Sequence, residues 1–463
     1  MSGVRRWATR CLNAVSFLVG VPLLVFLLSW ALTKDEPLHA DVQALLAPIA
    51  DTGERNGFYV YVGLTAPEGL DAHEAGRLAV AAVNKALLDP NWPAIESYSN
   101  FFAGGEVIAL PAWNFCNTDS CIDASRINAD NVAMIRAHPS FKTLNARYAQ
   151  LLSAPTFTNT TAGSLRAPLP RASNWMLLSE LRNAEHAERL GRGVPLAADS
   201  AEFMHDFLAW RRILAASNSL IISMTARRVL ERKLQLLNQL LERNPALASS
   251  VSIAGALAPL TVDERSLAHA MRGEFSFVAN ATLEAARTAD HRKTDEVSII
   301  DRVFGRLLGN GYKCNTTVNR QYEQMLVRQA AFGSTAKLAA AGHAKSMSMP
   351  EPSMLAVFLT SPFTNPIGEV LLQVAVTDFG RYHLRVHDLD AQIRLTAARI
   401  RLIAEAVPAD QVVGKLAEWA PTLSDPYTEA AFEYEAATKR IAATRGDGDS
   451  KSHLKKFYLP YPG

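Results

Sequence analysis

Apolar positions follow three different patterns along this chain. Residues 14–33, AVSFLVGVPLLVFLLSWALT, are continuously apolar and uncharged. An α-helix rises about 1.5 Å per residue, so about 20 such residues cross a hydrocarbon core of about 30 Å. The run therefore predicts a membrane-spanning helix. Arg5, Arg6 and Arg10 precede it, Lys34, Asp35 and Glu36 follow it, and Trp7 and Trp30 flank it. The positive side stays in the cytoplasm, which predicts a cytoplasmic tail over 1–13 and export of everything after Thr33. A cleaved signal peptide is the alternative, with Ser29-Trp30-Ala31 as its small-x-small site. The run exceeds the usual signal core of about 7–15 residues, which favours an anchor.

The second pattern is helical spacing. It predicts helices over 38–50, 71–88, 123–152, 172–190 and 317–343. The clearest helix runs from 201 to 243, where Leu220, Met224, Leu230, Leu234, Leu237 and Leu241 form one stripe. Arg211, Arg212, Arg227, Arg228, Arg232 and Lys233 lie mostly off that stripe and predict a solvated face. Thr261-Val262-Asp263-Glu264 is a capping box that starts another helix. Leu389, Ile393, Ile400 and Val407 carry helical spacing up to Pro408. Phe58-Tyr59-Val60-Tyr61-Val62 reads equally as a strand or a buried helical stretch.

The third pattern begins at Ser424, where short aromatic and polar alternations predict a β-rich cap. The expected fold class is mainly α: one N-terminal transmembrane helix, a large periplasmic helical body and a small β-rich C-terminal cap. Proline-rich punctuation divides the exported part into 34–152, a linker at 153–170, 171–343, a linker at 344–352, 353–423 and the cap at 424–463.

Hydrophobic residues at 49% and charged residues at 20% indicate a folded body rather than disorder. A net charge of +2 with no basic block argues against nucleic acid as a partner. Abundant Ala and Arg with little Lys suggest a GC-rich bacterial genome, so export means the periplasm and the membrane is the inner one. There, Cys116 and Cys121, bracketing a four-residue polar turn, predict a disulfide. No nearby His or Cys completes a zinc site, and the spacing is not Cys-x-x-Cys. Cys314 is left unpaired.

Candidate chemistry is sparse. Ser334-Thr335-Ala336-Lys337 matches the Ser-x-x-Lys nucleophile motif, but the partner motifs that would activate the serine are missing. His383 and His387 stand at i and i+4, where two rings share a helix face and could hold a metal. The competing reading is a polar helix start, with Asp388 or Asp390 capping a helix that begins near Leu389. Arg445-Gly446-Asp447-Gly448-Asp449-Ser450 resembles half of a calcium loop and reads better as a solvated turn. The tryptophans Trp92, Trp113, Trp175, Trp210 and Trp419 read as core or staple residues rather than a sugar platform. No catalytic residue and no cofactor is assigned.

The tail Asp425-Pro426-Tyr427-Thr428, with Phe432, Tyr434, Asp447-Gly448-Asp449 and Phe457-Tyr458-Leu459, resembles the ends of pseudopilin-like β domains, with Glu429 where that turn usually has glycine. More broadly, the chain resembles an uncharacterised group of proteobacterial proteins with one N-terminal anchor. The resemblance lies in Asn56-Gly57-Phe58-Tyr59, the Cys116–Cys121 loop, Trp210-Arg211-Arg212, Ser219-Leu220-Ile221, Asn365-Pro366-Ile367-Gly368 and Arg385-Val386-His387-Asp388-Leu389-Asp390. It implies an architecture and no activity. The expected function is non-catalytic binding or scaffolding of an envelope protein partner beside a secretion or pilus system. An envelope hydrolase and a periplasmic ligand or metal sensor are the alternatives.

Overall fold

Helix-forming sequence and a single C-terminal sheet account for the described parts of the chain. The structure is a computed structural model that describes residues 35–47, 49–51, 54–89, 92–103, 136–169, 172–191, 196–291, 312–332, 335–348, 379–446 and 455–461, with a few residues elsewhere. The helices are α1 (Ala40–Leu46), α2 (Gly57–Val62), α3 (Ala72–Leu87), α4 (Phe141–Ser153), α5 (Ala172–Gly191), α6 (Leu196–Ala216), α7 (Leu220–Arg243), α8 (Val251–Ala256), α9 (Val262–Ser266), α10 (Ala268–His291), α11 (Cys314–Phe332), α12 (Ala336–Ser348), α13 (Phe379–Ala404) and α14 (Val412–Trp419). The strands are β1 (Glu433–Glu435), β2 (Arg440–Arg445) and β3 (Lys455–Pro460). The protein is thus mainly helical with a small C-terminal sheet.

The chain divides into two compact units that are not consecutive in sequence. One comprises Met1–Ala47, Phe275–Leu326 and Met349–Thr377; the other comprises Pro48–Glu274, Val327–Ser348 and Asp378–Gly463. In the first, the start of α11 is capped from a distant segment. The Asp35 carboxylate accepts from the backbone N–H groups of Asn315 (2.8 Å) and Thr316 (3.0 Å) and from the Thr316 hydroxyl. These N–H groups have no partner within their own helix, so the carboxylate replaces a local cap. Fully buried Asn365 joins Lys313 and Thr317 through both ends of its amide. Cys314 carries a free thiol.

In the larger unit, residues 57–62 are helical. Asn56 accepts from the Phe58 N–H and donates to the Thr158 carbonyl, so one amide both starts α2 and ties it to the 154–169 stretch. Every residue of α2 is buried. Burial on all sides erases the amphipathic signal, which is why the sequence left helix and strand open. α3 passes so near α2 that a Cβ on Gly76 would lie 1.9 Å from the Tyr59 carbonyl oxygen, so only glycine fits there. Arg147 fills the turn between them, donating to the carbonyls of Leu64, Ala66, Pro67 and Leu70 at 2.6–3.0 Å.

The single helix expected over 201–243 is two helices, α6 and α7, separated at 217–219. Ser217 accepts from the Ser219 N–H, and Asn218 exchanges two hydrogen bonds with the backbone of Asn159. These local side-chain bonds compete with the helix ladder. Glu274 then accepts from the Leu220 N–H and caps α7 from outside. The leucine stripe begins at Leu220, after the break, and so lies wholly in α7.

The expected solvated basic face also differs. Arg228 is exposed, but Lys233 is fully buried and Arg211 nearly so. Arg211 grips Glu264 with two bonds (2.6 and 2.7 Å) and donates to the carbonyls of Ala256, Ala258 and Pro259. Glu264 is at the same time the last residue of the Thr261 capping box, which is fully formed. One carboxylate therefore fixes both the start of α9 and its seat on α6.

α13 separates two apolar clusters. Val386, Leu389, Ile393 and Ile400 face the main core with α7, whereas Leu384, Ala391, Leu395, Ala398 and Leu402 face a second core with α12, α14 and the sheet. The sheet is antiparallel in the order β1-β2-β3, pairing Tyr434 with Ile441 and Ala443 with Phe457. It stands on the Asp425 turn, whose carboxylate accepts from the N–H groups of Tyr427 (2.8 Å) and Thr444 (2.6 Å). Glu429 closes the turn with φ +60°, a left-handed conformation that suits glycine. Glu429→Gly should therefore raise stability by about 0.5–1 kcal/mol, read as a higher urea midpoint. Its ion pair with Lys337 at 3.7 Å is solvent-exposed and offsets little of this.

Candidate functional site

The two histidines singled out in the sequence sit on α13 and share a face. Their rings meet edge to face with centroids 4.5 Å apart, and both are buried. Both ring nitrogens of His387 lack a hydrogen-bond partner among the described residues. Burial, helped by His383, Arg265 and Arg394, pushes its pKa from 6.5 down to about 2. Burial likewise lowers His383 to about 4, against a hydrogen bond from its ring to the Arg265 backbone. No group of three or more His, Cys, Asp or Glu among the described residues is placed to hold a metal ion. The neighbouring arginines make this a neutral-imidazole site with positive charge around it.

Asp388 and Asp390 do not cap a helix start. α13 begins at Phe379, which puts both carboxylates in mid-helix and buried. Asp388 accepts from the Tyr427 hydroxyl and the Gly446 N–H, each at 2.7 Å, and so pins the sheet to α13. Asp390 accepts from the Leu260 N–H (2.7 Å) and from Arg394 (2.9 Å), pinning the loop before α9. Spacing alone gave no sign of this, because the groups they bind, Arg394 apart, come from 39 to 130 residues away in the chain.

A second buried polar cluster had no sequence signature. Asp206 on α6 is fully buried and accepts from Arg182 on α5, with Nε at 2.8 Å. Lys233 on α7, also fully buried, stands 3.7 Å from Asp206, donates to Asn183 at 3.0 Å and lies over the Phe203 ring at 4.9 Å. Burial lowers the Lys233 pKa from 10.5 to about 8, opposed by Asp206. His186, beside it, is lowered to about 2 by burial and then by Lys233, Arg189 and Arg182. Arg189 reaches Asp199 and Glu202 at 3.1 Å and carries the network to the surface. Three helices are thereby locked in register by charge pairing. An i, i+4 or i, i+3 rule could not find it, since its members sit on three elements.

Two small clefts open on the described surface, and neither is lined by a member of these clusters. The larger, of about 40 Å³, is bounded by Tyr61, Ser97, Tyr98, Leu169, Asn174 and Trp175 among others. The smaller, of about 20 Å³, lies between α4 and α6 beside Arg212.

Of the other sequence candidates, Cys116 and Cys121, Ser334, and Asp447 to Ser450 lie outside the described residues. Lys337 is exposed and pairs with Glu429. Trp175, Trp210 and Trp419 are core residues, whereas Trp92 is exposed and Trp113 lies outside the described residues. The 14–33 run also lies outside, apart from Val19, Gly20, Leu23 and Leu24, which have helical backbone and are exposed. No helix among the described residues is long and apolar enough to cross a membrane. Comparison with protein-family models, with curated proteins and with solved structures gave no match.

Proposed function

We propose that this chain is a single-pass inner-membrane protein whose periplasmic helical body binds or scaffolds partner proteins of the cell envelope without catalysis. The observation that carries the reading is the uncharged apolar run 14–33 behind Arg5, Arg6 and Arg10. The exposure of Val19, Leu23 and Leu24 on helical backbone suits a segment whose apolar side chains face lipid. The buried charges suit a rigid scaffold: Arg147, Arg211 and Asp206 each tie one helix to another or to its connecting turn. The C-terminal turn, with Glu429 left-handed in the glycine place, supports association with a secretion or pilus system through its pseudopilin-like character.

The test is a fusion of the full chain, after Gly463, to a phosphatase that folds only in the periplasm. Active fusion that resists alkaline carbonate extraction is expected, together with an envelope protein that co-purifies after cross-linking. Leu23→Arg with Leu24→Arg should release the chain from the membrane, since each charge at mid-bilayer costs about 2.5–3.5 kcal/mol. An inactive fusion or a carbonate-soluble wild-type chain would refute the anchor.

A further inference from the structure

The buried cluster on α5, α6 and α7 holds a nucleophile against an electrophile. Lys233 Nζ donates to Asn183 Oδ1 at 3.0 Å, and the carbonyl carbon lies one bond, about 1.2 Å, beyond that oxygen. The Asp206 carboxylate stands 3.7 Å from the same Nζ. Lys233 and Asp206 are fully buried and Asn183 nearly so, and the Phe203 ring covers the amine at 4.9 Å. An amine, a primary carboxamide and a carboxylate thus share one dry site, although 50 residues separate Lys233 from Asn183.

Each group is in a form suited to reaction. An amine attacks only through the lone pair of its neutral form. Burial, which lowers Lys233 from 10.5 to about 8, makes that form accessible near neutrality. Arg182 donates two bonds to Asp206, at 2.8 and 3.3 Å, and holds the carboxylate beside the amine. Asn183 engages Lys233 through Oδ1, which leaves Nδ2 as the departing group. Burial excludes water, the competing nucleophile, and fixed proximity replaces a bimolecular encounter.

We infer that Lys233 and Asn183 join in an intramolecular isopeptide bond, a covalent cross-link between α5 and α7 formed with Asp206 as general base and then general acid. The neutral Nζ attacks Cγ of Asn183 and forms the new C–N bond. Asp206 takes a proton from that nitrogen and passes it to Nδ2. The Cγ–Nδ2 bond breaks, ammonia leaves, and Asp206 is again a carboxylate. The balance requires no oxidant, metal or nucleotide. The bond closes a loop of 50 residues and persists when the chain unfolds. It depends neither on the anchor nor on partner binding.

The test is mass spectrometry of the full chain, purified in mild detergent under reducing conditions, first intact and then digested. Wild type should be one ammonia lighter than its sequence. Its digest should contain a branched peptide joining the stretch with Asn183 to the stretch with Lys233. Asn183→Ala, Lys233→Met and Asp206→Asn should each keep full mass and yield no branched peptide. Denatured wild type should also run faster than Lys233→Met on a reducing gel, because its closed loop is more compact. A folded wild-type chain at full mass would overturn the inference. So would ammonia loss that persists in Lys233→Met, or loss mapped to a succinimide at an Asn-Gly step such as Asn56-Gly57. The wild-type result stands alone, so it does not require any variant to fold.

Discussion

Asp206→Ala is expected to lower the unfolding free energy by about 3–5 kcal/mol, the largest loss among the substitutions considered. The cost arises less from the bonds removed than from the charges stranded. Arg182 is left with Glu202 alone, and Lys233 keeps only the neutral Asn183 and the Phe203 face. Lys233 is already pulled down to about 8 by burial, against the pull of Asp206. Without that carboxylate its pKa should fall further, so the variant becomes less unstable as pH rises. Lys233→Met should cost less, since Asp206 keeps two bonds to Arg182. Adding Lys233→Met to Asp206→Ala should restore part of the loss, because one stranded charge is removed. Urea unfolding of the double-mutant cycle measures the coupling; additive losses would show that the two groups do not sense each other.

Acid should unfold the protein through its buried histidines. His186, His383 and His387 have folded pKa values of about 2, about 4 and about 2, against an ordinary value of 6.5. A depressed histidine stays neutral in the fold while the unfolded chain takes up a proton below about pH 6.5. The unfolded state then binds more protons, and stability falls as pH falls. Each histidine contributes a loss on the order of 1 kcal/mol per pH unit below 6.5, continuing to about pH 4 for His383 and further for the other two. The body should therefore be stable at pH 7 and unfold cooperatively between pH 6 and 4. His387→Leu fills a similar volume without a titratable ring, so the slope of stability against pH should drop by about a third. An unchanged slope in that variant would remove His387 from the account. Circular dichroism across the pH series is sufficient.

Both predictions concern groups whose role was hidden in the sequence. His383 and His387 stood out for their i, i+4 spacing, which is equally the spacing of two residues on one buried helix face. The metal reading needed a third ligand, and the charged groups that approach them are arginines, Arg265 from α9 and Arg394 from α13 itself. Lys233 was placed with a solvated face because it lies off the leucine stripe, yet it turns inward toward α5 and α6.

The sequence alone was sufficient wherever the cause is local. Most of the helical periodicity, the Thr261 capping box and the change of character at Ser424 act within a few residues, and the structure has corresponding elements, although the single helix expected over 317–343 is two, α11 and α12. The apolar run at 14–33 is local in the same sense, and its reading as an anchor remains a proposal from length and flanking charge. Tertiary structure decided what depends on distant neighbours. It made 57–62 a helix by burying every face, divided α6 from α7 by bonding Asn218 to Asn159, and turned Asp388 and Asp390 from caps into ties. Burial and hydrogen bonding are properties of pairs brought together by the fold, and one member of a pair carries no mark of the other.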